Sequence, residues 1–332
     1  MSSPTVSYIS RKLLMILFVA ALVITPNMVR AVQEPTEEEY KALTDIQAEK
    51  DAAKKTEMII KFLREKPKTS YRPNVIAEFE KIMVDLQKKK DWSEIINLGN
   101  RYVEVAPDDA LSVRLLTAAY SETKNMKGFA TVGEKAYAAS PSPQLANAIA
   151  MAYLSLGNDA KFLTWGEKAV AGDPNNVEIL AELTKKSLSM QNSAQALKYA
   201  HMTLKAAPSA KKPEGVDAQA WQNTVNTSYA TAYAAIGADA YQKQNYVEAI
   251  KNLDSAVKYV KRNETAYYFL GMSYWQQNKL QPAMLNFAKA YYLKGSTSVA
   301  AKRYLDQLWK SGHRGSLAGE ERVIETAEQD LK

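Results

Sequence analysis

The side chains that most often do chemistry are scarce in this sequence. His201 and His313 are its two histidines, 112 residues apart, and cysteine is absent. A cluster of imidazole ligands is therefore impossible, as are disulfides, thiolate metal sites and a lipid anchor on an N-terminal Cys. No acid stands in register to tune His201 as a base, and His313 sits in a turn between Gly312 and Arg314, so both read as ordinary surface or packing residues. Asp108-Asp109 and Asp173-Pro174-Asn175-Asn176 gather oxygen donors. Calcium needs more of them, and Asp or Asn just ahead of an apolar run serves as a helix cap. There is no Gly-rich phosphate loop, no Gly-x-Ser-x-Gly elbow and no His-Glu-x-x-His. We expect no catalytic residue, no metal and no cofactor.

The informative residues are aromatic and small ones that recur with a period. The period is clearest in 264–297, ETAYYFLGMSYWQQNKLQPAMLNFAKAYYLKGST. Tyr267, Leu270, Gly271 and Tyr274 share one helix face, and Ala283, Phe287 and Ala290 share another. The polar break at 277–280 leaves room only for an antiparallel helical hairpin. Gly271 and Ala283 are small where two helices would cross closely, and Tyr274 and Phe287 are large where a gap needs filling. The same pattern lies 34 residues upstream, in Tyr233, Ile236, Gly237, Ala249, Leu253 and Ala256. Earlier in the chain Pro107, Pro141, Pro174 and Pro208 recur at gaps of 34, 33 and 34. Proline cannot continue a helix, so it punctuates the units. Gly99, Gly133 and Gly166 sit inside predicted helices, where Gly costs about 1 kcal/mol relative to Ala; close helix crossings are expected there.

An aromatic, Leu-Gly and Tyr in one helix, followed by Ala, Phe and Ala in the next, resemble the tetratricopeptide repeat (TPR). The resemblance covers nearly all of the chain after the first 35 residues. It implies an all-α fold, a right-handed TPR superhelix (α-solenoid) of about seven helix-turn-helix repeats with a C-terminal capping helix pair. The expected divisions are a degenerate helical pair at 32–69, with Tyr40, Leu43 and Ile46 as its first stripe; four repeats over 75–210; an insertion and helix extension at 211–229; two well-matched repeats over 230–297; and capping helices over 298–332. In the insertion, Trp221, Val225, Tyr229 and Tyr233 step by four, so its helix is expected to run straight into the next repeat.

Residues 1–31 read as a signal peptide. Arg11 and Lys12 precede an apolar run at 13–24, Pro26 follows it, and Val29-Arg30-Ala31 offers a cut after Ala31. The run is shorter than the ~20 residues a spanning helix needs. A periplasmic or secreted protein is expected, with no stable membrane span after processing; the alternative is an inner-membrane anchor formed by the uncleaved segment. The formal charge is +7, and removing Arg11, Lys12 and Arg30 leaves +4. So low a charge, with export, argues against nucleic acid as a partner.

The resemblance also implies where a partner binds, because the first helix of each repeat lines the inner surface. The positions it exposes there correspond to Arg114, Asn147, Met151 and Lys185 in a polar first half. In the second half they correspond to Tyr241, Tyr268, Met272 and Trp275, types suited to interface hot spots. Aromatics at helical spacing also serve as core. Asn147 has Met151, not Asn, one turn later, and Glu178 and Glu182 occupy positions that would need cations, so the repeat family's carboxylate clamp is rejected. The expected function is a non-enzymatic scaffold for a protein or peptide. The rival is a structural adaptor or self-associating envelope subunit using the convex face or the insertion.

Overall fold

The computed structural model describes residues 36–213 and 215–332; the expected signal segment lies outside them. Among the described residues there are sixteen α-helices, one 3-10 turn and no strand. None of these helices is long and apolar enough to cross a membrane. The chain forms two compact units that meet in sequence at Gly172 and Asp173.

The first unit carries four hairpins: α1 (Glu37–Ala48) with α2 (Ala52–Glu65), α3 (Arg72–Lys89) with α4 (Trp92–Tyr102), α5 (Ala110–Glu122) with α6 (Met126–Ala139), and α7 (Pro143–Ser155) with α8 (Asp159–Gly172). The second carries α9 (Val177–Ser189) with α10 (Ser193–Ala206), α11 (Ala218–Gln242) with α12 (Tyr246–Tyr259), α13 (Glu264–Gln276) with α14 (Leu280–Tyr292), and then α15 (Ser298–Gly312) and α16 (Glu321–Leu331). The fold is all-α, and seven hairpins followed by a closing helix pair match the repeat count expected from the sequence. Within each unit the first helices of successive hairpins touch, as α1 does α3, α3 does α5, α9 does α11 and α11 does α13.

Six hairpin turns share one backbone design. Lys90, Lys124, Gly157, Gln191, Gln244 and Asn278 each end a first helix in the left-handed conformation, with φ of 55 to 67°. The residue after each returns its N–H to the carbonyl five positions back at 2.8 to 3.0 Å, closing the helix end. In five of the six that same residue then caps the second helix. The side chains of Asp91, Asn125, Asn158, Asn192 and Asn245 accept the backbone N–H three residues on, at 2.9 to 3.3 Å. In the sixth, Lys279 makes no side-chain cap. The left-handed residues fall at intervals of 34, 33, 34, 53 and 34, so the backbone itself records an insertion of 19 residues before Gln244.

Those extra residues lengthen a helix. Asp217 accepts the Ala220 N–H at 2.9 Å and starts α11, which runs unbroken for 25 residues. Its first turns lie on the preceding hairpin, in contact with α9 and α10. There the Ser228 hydroxyl donates to the Val177 carbonyl at 3.1 Å, and Trp221 is half-buried.

The glycines mark close crossings. A Cβ on Gly237 would fall 2.6 Å from Leu253, and one on Gly271 2.7 Å from the Phe287 ring, so each hairpin closes glycine against a large side chain. In the first unit a Cβ on Gly99 would meet Leu116 at 3.0 Å and one on Gly133 would meet Ile149 at 2.8 Å, which are contacts between one hairpin and the next. The stripe expected for α1 needs correction. Tyr40 is 61% exposed, and Glu39 takes the inward place beside Leu43 and Ile46. Glu39 is drawn in because its carboxylate accepts the Thr36 N–H at 2.9 Å while Thr36 accepts the Glu39 N–H, a capping box that fixes the rotation of the helix.

Candidate binding surface

The second unit concentrates its aromatic residues on the first helices of its last hairpins. Tyr241 of α11 meets Phe269 of α13 at 5.6 Å between ring centroids, and Phe269 meets Tyr268 edge-on at 5.3 Å. Tyr268 and Trp275 both reach Tyr304 of α15, at 6.3 and 5.5 Å. Beneath them lies Phe287 of α14, fully buried and within 6.2 to 6.4 Å of both Tyr268 and Trp275. Tyr241, Tyr268, Met272, Trp275 and Tyr304 are thus half-buried. Their inner sides belong to the core and their outer sides meet solvent. Burial raises the pKa of Tyr241 and of Tyr268, so these phenols stay neutral donors across the physiological range.

The α11 and α13 part of this surface is nearly free of charge. Asp239 is the one charged residue of α11 and is paired with Lys243 at 2.8 Å. Glu264 is the one charged residue of α13, and its carboxylate accepts both the Thr297 N–H and the Thr297 hydroxyl at 2.7 Å. At the α15 edge the Arg303 guanidinium lies 4.9 Å from the Tyr304 ring centroid and donates to the Tyr304 hydroxyl at 3.3 Å.

The four expected positions of the polar half are placed less uniformly. Arg114 and Asn147 are half-buried and Lys185 is exposed, paired with Glu182 at 2.7 Å. Met151 is buried, 8% exposed. It lies in α7 among Ala146, Ala148, Ala150 and Ala152, all buried; helices walled with alanine approach closely enough to enclose the side chain at position 151. Met151 therefore offers no surface, and in α11 Ala238 is buried as well.

The first unit holds a constellation that the repeat pattern gave no hint of. Glu134 Oε1 on α6 accepts from the Tyr153 hydroxyl at 2.7 Å, from Lys161 at 2.9 Å and from the Trp165 indole N–H at 3.1 Å, joining three helices. Burial alone would raise the Glu134 pKa, but these donors outweigh it and hold the carboxyl below its usual range. The partners lie 19 to 31 residues away in sequence.

The residues weighed for chemistry have structural partners. Asp109 uses Oδ1 for the Leu111 and Ser112 N–H groups and Oδ2 for the Tyr102 hydroxyl at 2.9 Å, so it caps α5 and ties α4 to it. Glu80 stands beside it, its pKa raised by burial and by the neighbouring Asp109 charge. His201 is exposed, and His313 stacks on Trp309 at 3.8 Å between centroids. Among the described residues no three acid or imidazole side chains gather to hold a metal.

No protein-family model matches the chain, and no curated protein sequence matches it. Solved structures do. MamA is 18% identical, over 55% of this chain and 94% of its own, with a TM-score of 0.39. A tetratricopeptide repeat protein from Parabacteroides merdae is 15% identical, over 76% and 98%, with a TM-score of 0.41. The C-terminal part of a TPR repeat-containing protein from Cytophaga hutchinsonii is 12% identical, over 76% and 93%, with a TM-score of 0.43. Likeness at this level carries nothing about activity or partner. What the chain's own contacts show is a run of antiparallel helical hairpins, two of which close a glycine against a large side chain.

Proposed function

We propose that the chain is a non-catalytic scaffold, exported to the cell envelope, that binds a protein or peptide segment on the ring-lined face of α11, α13 and α15. The observation that carries this reading is the row Tyr241, Tyr268, Met272, Trp275 and Tyr304, half-exposed and backed by buried Phe287, with a single charged residue on each of α11 and α13. Such a face is already ordered, so a partner pays little for the scaffold's own folding. Large, rigid rings give contact area at low entropic cost. Arg114 and Asn147 in the first unit and Lys185 in the second stay separate candidates for polar contacts, each on the first helix of its own hairpin.

Co-purification from the cell envelope tests it, with the full chain as bait against a Met272→Glu/Trp275→Ala variant that keeps its helicity and melting temperature. We expect a partner held by the wild type and lost by the variant; equal retention by both would remove the ring face from consideration. Location is tested separately. N-terminal sequencing of the protein released by osmotic shock is expected to begin at Val32. Membrane sedimentation with residues 1–31 still attached would replace export by anchoring.

A second reading, that the chain is an adaptor joined through its insertion, draws on the exposed start of α11. There Gln219 pairs with Asn223 at 3.1 Å and Gln222 with Asn226 at 3.0 Å, an uncharged amide surface. Light scattering that gave a constant oligomer, dispersed by Gln222→Glu/Asn226→Glu, would favour it.

A further inference from the structure

Lys302 of α15 is neutralised where it stands. Its ammonium is paired with Asp306 and lies 2.8 Å from Glu320 Oε2. That pairing consumes Asp306, the one acid of α15. Arg303 and Lys310 differ from it. Both are exposed, and among the described residues neither makes an ion pair. Seven residues apart, they lie on one face of the helix, separated by about 10 Å along its axis. Arg303 is held in place by the Tyr304 ring and hydroxyl, both neutral, so its charge is fixed in position and uncountered. Asp239 of α11 and Glu264 of α13, the helices that carry the rest of the ring face, are committed to Lys243 and Thr297, and α14, which packs against α15, carries no acid. Arg303 and Lys310 therefore stand as unpaired positive charges at this edge of the ring face. Next to it runs a groove of about 660 Å³ bordered by Tyr291, Val299, Lys302, Arg303, Asp306 and Lys310, in which Asp306 is already paired with Lys302.

We propose that the segment bound on the ring face is an acidic peptide. One Asp or Glu side chain takes the free donors of the Arg303 guanidinium beside the Tyr304 hydroxyl, and a second reaches Lys310 along the groove. Apolar residues adjoining the first acid cover Met272 and Trp275. The inference rests on the binding-face reading above and adds the partner's charge. Guanidinium suits this role because its donors form a planar fork that matches a carboxylate. A nucleic-acid strand is the weaker match. Its phosphates call for a track of cations, and its bases need splayed ring faces to stack on, whereas here two cations stand free and the rings pack edge-to-face on each other.

A randomised peptide display library selected on the full chain tests this. The same selection is run on Arg303→Glu, Arg303→Lys and Trp275→Ala variants whose circular dichroism matches the wild type. We expect the wild type to enrich peptides with Asp or Glu beside Leu, Phe or Trp. For the best synthetic peptide, Arg303→Glu should weaken binding by about tenfold or more. Changing the peptide's acid to its amide should weaken binding similarly, Arg303→Lys should restore part of the loss, and added salt should weaken the wild-type complex. Enrichment of peptides without acids that still need Trp275 would overturn the acidic preference and leave the binding face standing. Enriched peptides indifferent to Trp275, or no enrichment, would overturn both. A mixed-sequence single-stranded oligonucleotide that displaced the peptide and itself depended on Arg303 would overturn the choice of peptide over nucleic acid.

Discussion

In the first unit Tyr153 and Trp165 are drawn together by one carboxylate, Glu134, and Lys161 and Lys168 lie against their rings at 4.8 and 4.0 Å. In the second unit Tyr241, Phe269, Tyr268, Trp275 and Tyr304 are drawn together by one another. The two regions rest on the same hairpin and the same left-handed turn, yet they finish their surfaces in opposite ways. Around Glu134 the strong donors meet one acceptor, and Lys161 counters its charge. Around Tyr304 the rings satisfy each other only on their inner sides, and Arg303, the cation that touches the Tyr304 ring, has only a neutral partner. A carboxylate already met by three donors has little left to offer a ligand, whereas a half-covered aromatic face beside an unpaired cation has more. The difference separates a joint that holds helices together from a face that can hold something else.

The sharpest way to break the contrast is to remove what backs each region. Phe287→Ala should cost about 3–5 kcal/mol, because the side chain is fully buried and its loss leaves a cavity under Tyr268 and Trp275. A thermal or denaturant melt should show the loss, and binding on the face should fall with it. Glu134→Ala should cost less, about 1–2 kcal/mol, as Tyr153 and the Trp165 indole lose their acceptor in a partly solvated site. That site also has a pH signature. The Glu134 pKa is depressed on folding, so its contribution is complete above the unfolded value of about 4.5 and drains away as pH falls below that toward the folded value. Denaturation midpoints should therefore drop more steeply below pH 4.5 in the wild type than in Glu134→Gln; parallel slopes would show that the carboxylate contributes nothing.

How much of this was legible in the sequence depends on the range of the signal. Hairpin positions follow from small residues set against large ones at fixed spacing, and Gly237 with Leu253 and Gly271 with Phe287 do meet as that spacing implies. Depth was not legible. Counting positions along a first helix cannot tell how closely neighbouring helices approach, and alanine-rich α7 enclosed Met151. The Glu134 joint escaped because its partners have no local pattern, being brought together only by the fold. Arg303 escaped for another reason. The face of α15 that draws the eye is its apolar stripe of Ala301, Tyr304, Leu305 and Leu308, and a cation matters here only because it makes no ion pair among the described residues. The shared turn stands in the sequence as Asp91, Asn125, Asn158, Asn192 and Asn245, but single Asp and Asn residues are common in loops, and their cap role shows only once the left-handed residue ahead of each is seen.

The smallest expected effect comes from that turn, and it sharpens the comparison by showing which differences between repeats are structural. Asn245 caps α12, and Asn245→Ala should cost about 1 kcal/mol by leaving the Glu248 N–H without its acceptor. Lys279 holds the equivalent place before α14, with φ −94° and ψ 79° against −88° and 72° at Asn245, and it has no capping bond. Its backbone is already set for a cap, and Asn278 ahead of it already adopts the left-handed conformation at φ 57°. Lys279→Asn should therefore gain about 0.5–1 kcal/mol without moving the chain. The midpoint in a urea titration should rise by that amount at unchanged slope. Lys279 also lies 5.9 Å from the Tyr274 ring centroid. An unchanged or lowered midpoint would mean that this cation–ring contact contributes as much as the cap it displaces.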